Sequence, residues 1–234
     1  MDRPIGIGII VVSVNTILEP ELTRAAPSEV ALHFTRGRMR SEDPAELQRM
    51  VDQAPEAAEL LADAGVQVIV FACTAASMFR GPGQDQAIVE RIQARTGLPA
   101  LATSGAVCKA FAALGMTRIA LASPYSDRMN QTEADYFRAA GIEVVRMRGL
   151  ACQGGDMALV PPDEVYRNGL AVDTPAADGI FLSCTNWPTL EIIEKLERAA
   201  GKPVTSSNQA TLWAALRMAG VKDAVPGYGK LFHW

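Results

Sequence analysis

Val66-Gln67-Val68-Ile69-Val70-Phe71-Ala72-Cys73-Thr74 reads as a buried strand that runs straight into a cysteine. Ala177-Asp178-Gly179-Ile180-Phe181-Leu182-Ser183-Cys184-Thr185 reads the same way, and the two cysteines stand 111 residues apart. Each segment is followed by a helical stretch and then a Gly-x-Pro, Gly97-Leu98-Pro99 and Gly201-Lys202-Pro203, offset by 104 residues. Small polar residues come next, Thr103-Ser104-Gly105 and Ser206-Ser207-Asn208, and then a helix containing Ala-Ala-Leu. Several landmarks at nearly one offset predict two similar halves related by a pseudo-two-fold axis. The first half is expected at 1–104 plus 208–234 and carries Cys73; the second, 105–207, carries Cys184. No Ser/Gly-rich linker separates them, so the expected interface is tight.

Outward from these segments, short β-rich runs alternate with amphipathic ones. Strands are expected at Ile5–Val12, Val30–Thr35, Val66–Ala72, Ala100–Ala102, Arg118–Ala122, Glu143–Met147, Gly179–Ser183 and Val204–Thr205. Helices are expected at Pro44–Ala64, Asp85–Thr96, Gly105–Leu114, Asp127–Ala140, Pro162–Ala171, Thr189–Ala200 and Gln209–Ala219. This alternation is the pattern of an α/β protein with parallel sheets covered by helices on both faces. The expected architecture is two Rossmann-like halves with the site in the cleft between them.

Bulk properties narrow the function. The chain has 234 residues, 49% of them hydrophobic, and a net charge of −4. That size buries a full core. The mild negative charge argues against nucleic acid, which needs a concentrated basic surface. No apolar run reaches the ~18 residues of a membrane span. Met1-Asp2-Arg3-Pro4 leads directly into the first strand without the pattern of a secretory signal, so the expected location is cytoplasmic. The four cysteines, Cys73, Cys108, Cys152 and Cys184, form no Cys-x-x-Cys pair, and the two histidines, His33 and His233, lie far apart. Neither a disulfide framework nor a metal site is expected. Gly6-x-Gly8 lies inside a strand and lacks a third glycine, so it is no dinucleotide fingerprint.

A cysteine just after a buried strand stands where open α/β sheets bind ligands. A helix start close by offers free N–H groups and is expected to favour the thiolate. A single cysteine in this setting is most often a small core residue; equivalent placement in two repeated halves reverses that reading. Two thiols facing one cleft can exchange protons on opposite faces of a carbon, or one can add to an activated double bond. Neither reaction needs a cofactor. Asn15, Thr74, Tyr125, Thr185, Asn186 and Asn208 form a set of uncharged donors at strand ends, suited to a carboxylate ligand. Each is also a natural cap or turn residue. Arg36, Arg38 and Arg40 form a basic cluster that either neutralises a dicarboxylate or pairs with Glu42 and Asp43. Cys108, in an apolar helix, is expected to pack, and Cys152 has no assigned role.

These segments resemble the Asp/Glu racemase superfamily and, within it, the maleate cis-trans isomerases, along nearly the whole chain. The resemblance is carried by Ile5–Thr16, His33–Met39, Ala72-Cys73-Thr74, Ser123-Pro124-Tyr125, Ser183-Cys184-Thr185-Asn186 and Gly201–Ala210. Ser-Cys-Thr-Asn and Ser-Ser-Asn-Gln-Ala are also similar to isomerase-like proteins of ectoine utilisation. The resemblance implies a cofactor-independent isomerase of a small dicarboxylate, maleate to fumarate, working as a homodimer. Cys73 would be the nucleophile and Cys184 the acid/base, with Asn15 and Tyr125 holding carboxylates. The chain departs from the isomerase pattern at Val12–Thr16, and at Gln153–Asp156, where no asparagine stands. Arylmalonate decarboxylases are similar too, but they carry glycine where this chain has Cys73. Amino-acid and hydantoin racemases also use two cysteines and remain an alternative, as does a non-catalytic carboxylate-binding protein.

Overall fold

Strands Val68–Ala72 (β3) and Gly179–Leu182 (β7) are buried at every position, as the uninterrupted apolar runs require of parallel strands covered on both faces. In the computed structural model, which describes residues 4–234, each sits in a four-stranded, all-parallel sheet. The first sheet joins β1 (Ile5–Val12), β2 (Val30–Gly37), β3 and β4 (Ala100–Ala102) in the order β2-β1-β3-β4. The second joins β5 (Arg118–Ser123), β6 (Glu143–Gly149), β7 and β8 (Val204–Ser206) in the order β6-β5-β7-β8. The orders are the same when the second set is counted from its own start, which is the expected pseudo-two-fold relation.

The helices are α1 (Leu18–Ala25), α2 (Pro44–Asp63), α3 (Thr74–Met78), α4 (Gln84–Thr96), α5 (Thr103–Leu114), α6 (Asp127–Ala139), α7 (Pro162–Val172), α8 (Ile193–Ala200) and α9 (Ser207–Met218). Two of them tie the halves together. Helix α5 follows β4 of the first sheet, yet its Phe111 packs edge-on against Phe181 of β7 and Phe137 of α6. Helix α9 follows β8 of the second sheet but lies against β3, α1 and α5. Glu21 of α1 adds a polar clamp. Its buried carboxylate accepts from the N–H groups of Thr189 (2.7 Å) and Leu190 (3.0 Å) and from Asn208 Nδ2 (2.7 Å). Burial pushes its pKa up to about 7, although all three donors oppose the shift.

The sequence reading placed the eight strands correctly to within a few residues. It missed α1 and α3, and it merged a 3₁₀ turn at Leu190–Ile192 with α8. Helix α1 starts where the Asn15 side chain accepts from Ile17 N and Leu18 N, each at 2.9 Å, which supplies the cap that Ile17 lacks. Among the described residues, no helix is long and apolar enough to cross a membrane, and no group of three or more His, Cys, Asp or Glu is placed to hold a metal.

Gly6 and Gly8 have a packing role. A Cβ on Gly8 would stand 2.9 Å from Leu61 Cβ, and one on Gly6 would stand 3.2 Å from Val66 Cα. The missing side chains let α2 and the turn after it lie directly on β1. Gly8→Ala is therefore expected to cost about 1–3 kcal/mol by overpacking, read as a lower urea midpoint; an unchanged midpoint would show that α2 can yield.

Candidate active site

Both sheets reverse their strand order between the first strand and the third, so each has a switch point outside the carboxyl ends of those strands. Such crevices are where open α/β sheets bind ligands. The two switch points of this molecule open onto one shared cavity. Its wall takes Asn15 from the end of β1, Met39 and Glu42 from the loop after β2, and Cys73 from the end of β3. From the other half it takes Tyr125 after β5, Gly154 and Met157 after β6, and Cys184, Thr185 and Asn186 after β7. The space is about 20 Å³, room for roughly one water. A larger vestibule of about 310 Å³ adjoins it, shares Glu42 and Tyr125 as walls, and is also lined by Phe79, Arg128, Cys152 and Gln153.

The two cysteines have similar polar surroundings and different backbones. Cys73 is extended (φ −146°) and caps α3, its Sγ accepting from Ala76 N at 3.4 Å. Cys184 has φ +109°, a region that non-glycine residues rarely occupy, and its Sγ accepts from Asn186 N at 3.3 Å. Strain of this kind typically costs ~1–3 kcal/mol and concentrates at functional sites. The Tyr125 hydroxyl also hydrogen-bonds Cys184. Sequence reasoning expected the helix starts to favour thiolates. In the closed cavity, burial outweighs the N–H groups: it pushes the Cys73 thiol up to about 12 and the Cys184 thiol higher still. Burial likewise drives the Tyr125 phenol well above its ordinary value. All three groups hold their protons at neutral pH.

The donor set divides in two. Asn15, Tyr125, Thr185 and Asn186 line the cavity with the cysteines. Asn15 Nδ2 donates to Thr185 Oγ1 at 3.2 Å, and Thr16 N donates to Asn186 Oδ1 at 3.1 Å, so these residues interlock across the two halves. Asn186 Nδ2 is buried without a protein partner and remains free to donate. Thr74 and Asn208 do not line the cavity. Thr74 Oγ1 donates to Ser207 Oγ at 2.9 Å, and Asn208 Nδ2 serves Glu21 and the Trp187 carbonyl. The arginine cluster stays outside as well. Arg36 binds the carbonyls of Val12 and Asn15 and the Glu19 carboxylate, and Arg38 and Arg40 do not line the cavity. Cys108 is half-buried in α5, where burial raises its pKa to about 11.

Sequence reasoning missed Glu42, Met39 and Met157 as cavity residues. The available signal for Glu42 was its place after a strand's carboxyl end and just before the helix start at Pro44; pairing it with the arginines hid that signal.

A family model described as arylmalonate decarboxylase matches residues 7–232. A maleate isomerase from Nocardia farcinica is 32% identical, covering 96% of this chain and 94% of its own length. The solved structure of maleate isomerase Iso from Pseudomonas putida S16, a cysteine-to-alanine variant with maleate, superposes with a TM-score of 0.94 at 30% identity over 98% of each chain. A Nocardia farcinica maleate cis-trans isomerase, a cysteine-to-serine mutant with a covalently bound succinylcysteine intermediate, superposes with a TM-score of 0.92 at 28% identity, covering 97% of this chain and 98% of its own.

One buried acid sits behind the cavity. Glu133 of α6 is fully buried, and its Oε1 accepts from Ser183 Oγ at 2.5 Å while Oε2 has no partner. Burial raises its pKa from 4.5 to about 8, against the Ser183 hydrogen bond. The folded state therefore keeps a proton that the unfolded chain releases. Its contribution to stability is complete below pH 4.5 and declines as pH rises toward about 8. Glu133→Gln should flatten this decline by on the order of a few kcal/mol, measured by urea unfolding at both ends of that window. A slope equal to that of the unaltered protein would mean that Glu133 is ionised in the fold.

Proposed function

This chain belongs to the arylmalonate decarboxylase family, and we propose that within it the chain is a cofactor-independent cis-trans isomerase that converts maleate to fumarate. The observation that carries this reading is the pair of buried thiols, one from each half, on one small cavity with neutral donors around it. The succinylcysteine in the Nocardia enzyme is what a cysteine becomes when its sulfur adds across the double bond of a four-carbon dicarboxylate.

The steps follow from the residues. Substrate carboxylates are met by Asn186 Nδ2, which has no protein partner, and by the remaining amide hydrogen of Asn15. Cys73 passes its proton to a carboxylate of the bound substrate, and its sulfur attacks one olefinic carbon. The N–H groups of Ala76 and Ala75 already point at that sulfur and stabilise the negative charge as it develops. The π electrons move to the neighbouring carbon, which takes a proton from Cys184, with Tyr125 hydrogen-bonded to the sulfur that remains. The former double bond is now single and rotates. Cys184 then removes the proton, the double bond re-forms in the trans arrangement, and Cys73 leaves as thiolate and takes its own proton back from the carboxylate.

Cys73 also separates this reading from decarboxylation, because the decarboxylases that this chain resembles carry glycine there. A two-cysteine racemase would share the thiols, but not the chemistry of addition to a double bond. The same reading carries a cytoplasmic homodimer, for which light scattering should give twice the 25.0 kDa chain mass.

Proton NMR of the reduced protein with maleate in D₂O, without added cofactor, should show the fumarate vinyl signal growing in. Cys73→Ala should abolish it, and Cys184→Ala should lower kcat by roughly 10²–10⁴-fold while leaving the circular dichroism spectrum unchanged. No fumarate from the unaltered protein would rule out maleate, and full activity in either variant would rule out the two-thiol mechanism.

A further inference from the structure

Glu42 is the one charged side chain among the residues that line the inner cavity, where no arginine, lysine or histidine accompanies it. It also forms part of the vestibule wall, so it stands at the passage between the two spaces. Its carboxylate accepts from its own N–H and from Gly154 N–H, across the line where the two halves meet. Gly154 itself has φ +51°, and a Cβ there would collide with the Arg40 carbonyl, so the contact depends on glycine.

The groups facing Glu42 supply no positive charge within the inner cavity. Asp43 is its neighbour on the same loop. Cys73 and Cys184 face it from the ends of β3 and β7, Tyr125 stands after β5, and all three keep their protons. Cys152 lies across the vestibule from the loop after β6, and Arg128 of α6 lines the vestibule only. A doubly charged dicarboxylate brought into this nearly dry space would face a third carboxylate with no cation to offset it. Charge repulsion at short range in a low-dielectric site favours removing one of the charges, and the accessible way is to protonate a carboxyl group.

We propose that Glu42 is a specificity-determining residue of this site: it enters the complex as the carboxylic acid and donates a hydrogen bond to one carboxylate of the bound dicarboxylate, so that binding takes up one proton from solvent. This rests on reading the cavity as a dicarboxylate site. Burial, helped by the charge of Asp43, already holds the Glu42 pKa above its ordinary value against two backbone N–H bonds. The added negative charge of the ligand raises it further. As pH climbs past the point where free Glu42 ionises, affinity for a dicarboxylate should fall about tenfold per unit.

The test is calorimetric titration of the reduced protein with fumarate, the trans product, which is fully ionised near neutral pH. Repeating it in buffers of different ionisation enthalpy counts the protons taken up. The unaltered protein should take up about one proton above the Glu42 pKa, with the tenfold loss of affinity per pH unit. Glu42→Gln, which keeps a donor but no acid, should bind with almost no proton uptake and a flat pH response; Glu42→Val should bind more weakly than Gln and also without uptake. Binding by the unaltered protein without proton uptake, or equal uptake by Glu42→Gln, overturns the proposal. Maleate turnover on the same sample separates it from the isomerase reading. Turnover with proton-free binding removes the role of Glu42 and leaves the isomerase, whereas proton-coupled binding without turnover does the reverse. Absence of both binding and turnover overturns both.

Discussion

One buried hydroxyl holds the two cysteine loops in register. Ser207 Oγ, at the start of α9, accepts from Cys184 N at 3.1 Å and from Thr74 Oγ1 at 2.9 Å. Thr74 follows Cys73 directly, so a single oxygen ties the backbone at one thiol to the side chain beside the other. Each such bond adds only ~1 kcal/mol net, yet leaving a buried donor unpaired costs ~1–3 kcal/mol. Because Ser207 is fully buried, bulk solvent cannot replace these bonds, and the two halves have little freedom to slide past each other. Asn15 to Thr185 and Thr16 to Asn186 repeat the stitching on the other side of the cavity. The crossed packing of α5 and α9 brings these polar groups together, because each helix leaves one sheet and packs on the other.

The pseudo-symmetry is close in topology and broken in chemistry. The two threonines that follow the cysteines illustrate this: Thr185 lines the cavity, whereas Thr74 is turned to Ser207. Cys73 has relaxed backbone and two N–H groups aimed at its sulfur, while Cys184 is held at φ +109° with a phenol hydroxyl on its sulfur. Duplicated architecture has thus placed two equivalent atoms in inequivalent environments, the condition for one to act as nucleophile and the other to manage a proton.

Much of this was legible in the sequence. The paired strand-Cys-Thr segments and the matching Gly-x-Pro landmarks specify two parallel sheets and put both cysteines at carboxyl ends, since strands buried on both faces leave continuous apolar runs. What stayed hidden depends on contacts between distant segments. Helix α1 is the exception: its signals, the Asn15 cap and the acidic first turn at Glu19 and Glu21, are local, but Asn15 was read as a site donor instead. Asn208 looked like a site donor because it follows a strand end, but Glu21, 187 residues away, claims its amide. The expected thiolate-favouring field is present in the N–H groups around each sulfur, and desolvation overrides it. Burial at that depth is a tertiary property that strand and helix signals do not encode.

The absence of a cation from the cavity wall bears on the chemistry. Arginine is the usual clamp for carboxylates, and its fixed charge would also stabilise a nearby thiolate before any substrate arrived. Here Asn15, Asn186 and Tyr125 supply neutral donors, while the thiols, the phenol and Glu133 all keep their protons in the closed state. Such a site must recognise carboxylates by hydrogen-bond geometry rather than by charge, and it holds protons where negative charge will develop. With space for about one water, the cavity must part to admit a four-carbon ligand, and closing on it removes competing solvent. Addition and expulsion of a thiolate then proceed with protons passed between neighbouring groups, so the reaction needs no permanent charge in the wall, and a carboxyl group placed there serves best in its neutral form.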